Sequence, residues 1–589
     1  MFRTLMMLLA IGIAGPTLAD PADWIVESNR HAQLLLDIDA HYNPEATASL
    51  GVEGHDAEII DLGPGATERQ EADLVAVELR LAALRATATD PRVQQDLDIL
   101  IDAARDQRKS SELSRKYLLP FFDLAQAVFQ GFRTLLDDRV AKDRQQAAVT
   151  RLRRYVGAEQ GYVPITVLAR ERYEAKAGDV ALLGPWVVEA NQYLDNQNRY
   201  LDGIGELLTA SGLDGWQSDY ATLRAQFDSY GEWVRGVVLP RARESSRLPL
   251  ELYANALKNY GVDVDPHVLM DAALADYLQT RDEMTVIAAQ VAAARGWKDA
   301  DYRSVIKALK RERIPNERLL DTYTQRLHQI EDIVRREGIV TLPQRDAAIR
   351  LASEAESAAS PAPHLDPPRL IGNTGEPAQF VLPISNPNAR ADVPMDDFNY
   401  DAIAWTLTAH EARPGHELQF AAMIEHGLST ARVVYAFNSA NVEGWALYAE
   451  AVMKQYLPPE GQIGALQMRM MREARAFLDP MLNLGLLEPD AAQRFLQEEL
   501  QLSEPMAKQE IDRYTFNAPG QATAYFYGYS RLNGLRMRAE LALPGHFDAR
   551  AYHDFLLSQG LLPFDLLEKA VMQQFVPAQL AAVKSGGKN

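Results

Sequence analysis

The residues best suited to chemistry lie in His410-Glu411-Ala412-Arg413-Pro414-Gly415-His416 and in the later Glu443-Gly444-Trp445-Ala446-Leu447-Tyr448-Ala449-Glu450. Two imidazoles, a glutamate directly after the first and a second glutamate further on are the donors of a catalytic zinc site with one open position. This predicts His410, His416 and Glu443 as ligands of one divalent ion, zinc. It also predicts Glu411 as the general base that takes a proton from the attacking water. The spacing departs from the familiar H-E-x-x-H pattern, because position i+4 is Pro414 and the second histidine stands at i+6. At about 100° per residue, a straight helix would turn His416 roughly 120° away from His410. Chelation therefore requires a kink or bulge at Pro414-Gly415, where proline removes a donor and glycine tolerates unusual backbone angles. Taken alone, this spacing describes a solvated helix more often than a metal site.

The elements that must position these groups are helices. Residues 401–427 read as the helix carrying the motif, with Gly427 as its stop, and Asn441 reads as the N-cap of the next helix, which Pro458 ends. Glu450, seven residues after Glu443, shares its face and is suited either to orienting a ligand histidine or to plain solvent exposure. Trp445 and Tyr448 read as packing residues, and His426 as a helix-end histidine. The tripeptide Pro544-Gly545-His546 repeats Pro-Gly-His with no preceding His-Glu, in an apparent turn. Upstream, Leu74, Val77, Leu81 and Leu84 form one helical stripe, and similar periodicity runs to about residue 359. From 360 to 400 the chain is rich in proline, from Pro361 through Pro387 to Pro394, which marks a lobe boundary. Within it, Ala378-Gln379-Phe380-Val381-Leu382 reads as a short strand.

The motif residues His410 to His416, with Leu418 and Gln419, resemble the bacterial domain-of-unknown-function 885 family of the zinc peptidase (gluzincin) clan. The resemblance continues through Glu443-Gly444-Trp445-Ala446-Leu447-Tyr448, Arg475 and Asp479, Arg513-Tyr514, and Pro519-Gly520-Gln521-Ala522-Thr523-Ala524-Tyr525, with Gly528 and Arg536 beyond. The chain departs at Glu417, where the family usually has histidine, and at Asn483, where it tends to have another. The resemblance implies a mainly α fold, with two helical lobes around a deep cleft and a small β element near the active site, similar to helical zinc oligopeptidases. It implies that strand 378–382 is an edge strand able to pair with an extended peptide, against the plainer reading of a small capping sheet. It also implies that Tyr525 donates to the developing oxyanion, although Tyr527 and Tyr529 lie close. Arg536 falls on the same stripe and is suited to a substrate carboxylate or to a structural salt bridge.

Length and composition bound these readings. The 589 residues, 47% hydrophobic and 24% charged, suit a soluble globular protein. Residues 1–19 read as a secretory signal peptide ending at Ala19. Residues 20–360 then form an N-terminal helical lobe and 361–589 the catalytic lobe, in a periplasmic or secreted protein without stable membrane insertion. The absence of cysteine excludes disulfides, thiolate ligands and a lipid-modified cysteine. A net charge of −21 argues against nucleic acid and against anionic membrane surfaces as partners. The expected activity is a zinc-dependent metallopeptidase hydrolysing peptide bonds in small unfolded peptides, as an oligopeptidase or carboxypeptidase. The alternatives are a catalytically inactive periplasmic binding or envelope-interaction protein that keeps the fold, and a carboxylate-based glycosidase needing neither histidine. Oligomeric state is not legible.

Overall fold

The computed structural model describes residues 22–352, 356–357, 360–373, 375–384 and 395–586, so the signal-peptide reading of residues 1–19, with Pro387 and Pro394, lies outside the described residues. The described chain is mainly α-helical, with one three-stranded sheet. The stripe expected after residue 71 is split into Ala66–Thr87 and Pro91–Tyr117, because Asp90 caps the second helix through Arg92 N at 2.8 Å and Pro91 cannot continue the first. Leu74 and Leu81 are buried there, with Val77 and Leu84 packed against the same core.

Apolar packing divides the molecule at points other than residue 360. One core joins the first helices, Asp23–Tyr42, Ala66–Thr87 and Pro91–Tyr117, to most of the chain from Tyr253 to Val576, where Ala378, Phe420, Met423, Val433, Val442 and Leu561 form a small cluster of their own. In it the long helix Pro266–Arg295 lies along Pro459–Asn483. A second core is built from Leu119 to Val238 with Leu62, around Phe132, Tyr173 and Phe227. The described part of the proline-rich segment is a strap over the main core, with Phe380, Leu382 and Tyr400 buried in it. It carries β2 (His364–Asp366) and β3 (Gln379–Leu382), and β1 (Ala348–Leu351) precedes it.

Gln379–Leu382 is the middle strand, not an edge: β1 pairs with it in parallel and β2 antiparallel. Phe380, Val381 and Leu382 are all buried, and a strand covered on both faces has an unbroken apolar run. The outer strand beside the cleft is β2. A cavity of about 1020 Å³ lies between the second core, the strap and the main core, lined by Arg133 and Arg139, His364 to Asp366, and the motif residues.

Candidate metal centre

The motif segment is two helices, Asp401–Glu411 and His416–Glu425, where the sequence suggested one kinked helix. The first makes its last α-helical bond from Ala412 N to Thr408 O, at 3.0 Å. Residues 412–415 then break the helix, with Ala412 and Gly415 in irregular conformations and Arg413–Pro414 cis. A Cβ on Gly415 would fall 1.9 Å from the His410 carbonyl oxygen, so only glycine permits this close a return. The Trp445 indole N–H donates to the Pro414 and Gly415 carbonyls, at 3.0 and 3.3 Å, and so ties the break to the helix bearing Glu443. Gly427, at φ 58°, follows the second helix as expected.

That Glu443 helix is Ser439–Lys454, capped by Asn438, whose side chain accepts from Asn441 N at 2.8 Å; Asn441 lies inside the helix. It crosses Ala524–Ala542 at Gly444 and Gly528, where a Cβ on Gly444 would sit 2.6 Å from the Gly528 backbone. With no side chain on either glycine the two backbones touch, and that contact sets Tyr525 against the histidines.

The break delivers both imidazoles to Glu443. Glu443 Oε2 lies 3.6 Å from His410 Nε2 and 3.3 Å from His416 Nε2, and ligand atoms of all three residues fall within 4.8 Å of one another. Tetrahedral zinc with bonds near 2.0–2.2 Å needs ligand atoms about 3.3–3.5 Å apart. His410 Nδ1 meets Glu450 Oε1 at 2.7 Å, which assigns its proton to that nitrogen and leaves Nε2 a free lone pair. Thr406 donates to the other Glu450 oxygen. Glu443 Oε2 is buried and accepts no hydrogen bond, 3.6 Å from one Nε2 and 3.3 Å from the other. Two imidazole nitrogens and a buried carboxylate oxygen lacking a donor form a donor set that fits a divalent cation.

Electrostatics point the same way. Burial opposes charge on His410, and Glu443 and Glu450 outweigh it, holding the imidazole at about 9. Burial would likewise raise Glu443, but His410 and His416 hold it well below the usual carboxylate range. Without an ion His410 therefore keeps its proton while Glu443 stays ionised. Glu411 Oε1 is 4.0 Å from His410 Nε2 and lines the cavity. The Tyr525 ring stacks 6.4 Å from that of His410, and its hydroxyl, pushed up by burial, accepts from Arg513 Nη2 at 3.2 Å.

Of the six residues singled out from sequence, five converge on the cavity and Arg536 does not. Arg536 pairs with Glu540 at 2.7 Å and donates to Tyr448 OH at 3.1 Å, the salt-bridge alternative. Eleven residues of helix rise about 16 Å, so sharing a stripe with Tyr525 does not bring it to the site. Arg472, Arg475 and Arg513 surround Tyr525 instead, with guanidinium carbons 5.8, 4.5 and 5.5 Å from its ring centre. Two were visible in the matched sequence blocks, but nothing in their spacing marked them as cleft residues.

The two departures are structural. Glu417 is fully buried away from the ligands, accepting from Arg413 at 2.7 Å and ion-paired with Arg345 at 2.8 Å. Asn483 donates to Asp479 and to the Tyr514 carbonyl.

A family model described as "Bacterial protein of unknown function (DUF885)" matches residues 44–571. The chain belongs to that family. Among solved structures, this DUF885 chain is similar to a candidate lipoprotein of unknown function from Shewanella oneidensis, at 18% identity and a TM-score of 0.73. It is also similar to a candidate lipoprotein from Colwellia psychrerythraea, at 19% identity and a TM-score of 0.76. Each comparison covers 94% of this chain and 100% of the other. At this identity they establish a shared fold. No curated protein matches the sequence. Among the described residues, no helix is long and apolar enough to cross a membrane.

Proposed function

We propose that this DUF885 chain is a zinc-dependent peptidase of the cell envelope acting on short unfolded peptides. The observation that carries the reading is the convergence of His410, His416 and Glu443 within 4.8 Å beside Glu411, in a cavity of about 1020 Å³. An envelope location draws on the sequence of residues 1–19 and on the two structural neighbours described as lipoproteins.

Bound by these ligands, zinc would polarise the scissile carbonyl and lower the pKa of a water molecule. The chain's own residues supply the rest. Glu411 accepts a proton from water as its oxygen attacks the carbonyl carbon, and returns that proton to the leaving nitrogen as the C–N bond breaks. Tyr525, with Arg513 donating to its oxygen, turns its O–H toward the carbonyl oxygen as that atom gains charge. Glu450 keeps His410 in one tautomer. An inactive binding protein is disfavoured, since Glu411 is present and the departures Glu417 and Asn483 are engaged in internal bonds.

The test is metal analysis of protein purified without chelators, together with peptide hydrolysis. About one zinc per chain is expected, lost in Glu443→Ala. Glu411→Gln should keep the metal and lose roughly 10²- to 10⁴-fold in turnover. Metal-free wild-type protein that still cuts peptides would overturn the reading.

A further inference from the structure

The chain carries a net charge of −21, yet arginines gather in the cavity wall beside the histidines. Three guanidinium groups, those of Arg472, Arg475 and Arg513, gather around Tyr525 and face two carboxylates, both already engaged. Glu510 is held by Arg475 through two bonds of 2.7 Å and by Tyr514 OH at 2.7 Å. Arg513 lies 3.6 Å from the same carboxylate and makes its one close hydrogen bond to Tyr525. Glu450 is taken by His410 and Thr406, so Arg472 reaches it only at 3.5 Å. The Nε of Arg472 is a buried donor with no partner. Glu443 and Glu411 line the same cavity, so what is left over is hydrogen-bonding capacity on Arg472 and Arg513, not net positive charge. Most of it belongs to Arg513, whose side chain is 28% exposed and opens on the cavity.

We propose that Arg513, supported by Arg472, binds the C-terminal carboxylate of the substrate, so that the protein removes short C-terminal pieces from peptides. The assignment rests on the peptidase reading of the neighbouring histidine site. A planar guanidinium with free N–H groups matches a carboxylate in two parallel hydrogen bonds, and the surrounding low dielectric strengthens that pairing. Arg513 also touches Tyr525, the oxyanion donor of that reading, so an anchored terminus would lie beside the peptide bond to be cut. The same chemistry is offered by an acidic side chain, and the test separates the two sources.

The test uses the full-length Glu411→Gln protein loaded with zinc, so that peptides bind without turnover, and titration calorimetry with three probes. These are Ala-Ala-Ala as the free acid, Ala-Ala-Ala amide, and Ala-Glu-Ala amide. The free acid should bind about tenfold or more tighter than its amide. That preference should vanish with Arg513→Gln, recover incompletely with Arg513→Lys, and persist with Arg536→Gln. Circular dichroism checks that each variant is folded. Equal binding of acid and amide, or a preference that survives Arg513→Gln, would overturn the proposal. Ala-Glu-Ala amide binding as tightly as the free acid would overturn it in favour of acidic side chains. If the wild type cuts no peptide while the acid preference holds, the peptidase reading fails and the carboxylate site stands. If it cuts peptides with no acid preference, the reverse is true.

Discussion

Pro-Gly-His occurs twice in this chain, at 414–416 and at 544–546, and the two copies differ in everything but sequence. The first is buried, its glycine at φ −80° beneath the His410 carbonyl and its proline and glycine carbonyls held by Trp445. The second is an exposed turn, its glycine at φ 72° with open space where a side chain would go, closed by a hydrogen bond from His546 N to Leu543 O at 2.9 Å. The tripeptide supplies only the capacity to leave a helix. The preceding His-Glu, and a tryptophan from another helix, make the departure useful.

Six substitutions break or sharpen that contrast. His416→Ala should abolish zinc binding, whereas His546→Ala should leave metal content and stability unchanged; equal metal loss would mean the ligands are misassigned. Gly415→Ala forces a methyl group into the His410 carbonyl and should destabilise the protein by about 3 kcal/mol in denaturant melts, with loss of metal. Gly545→Ala meets only the left-handed backbone preference and should cost about 1 kcal/mol or less. Glu450→Gln removes the carboxylate that orients His410 and should weaken zinc affinity roughly 10- to 100-fold, read by competition with a chelator. Trp445→Phe keeps the ring but deletes the indole donor, and a loss of about 1 kcal/mol is expected in thermal melts.

Much of the site was legible because metal chemistry confines itself to few residue types. His410, His416, Glu443 and Glu411 announce themselves, and the impossibility of a straight helix correctly located the break at Pro414-Gly415. The means of the return was not legible, since it depends on Trp445 reaching across from another helix. Arg536 shows the limit of periodicity: a stripe tells which residues share a face, not how far along the axis each lies. Strand 379–382 shows another, because its buried apolar run fits the middle of a sheet and the expected edge lay in a three-residue strand without a pattern of its own. The upstream helices followed from their 3.6-residue rhythm, and the mainly helical fold of the whole chain from the family resemblance. The separate core over 119–238 did not, because amphipathic stripes do not say which partner they pack against.

That separate core has a consequence for how this protein can diversify. The groups that would perform catalysis sit on helices locked by side-chain-free crossings, where almost any substitution collides with backbone. The opposite wall, with Arg133 and Arg139, belongs to a unit with its own interior. Substitutions there can reshape what the cavity admits without disturbing the spacing of His410, His416 and Glu443, so selectivity can drift while the reaction centre stays fixed.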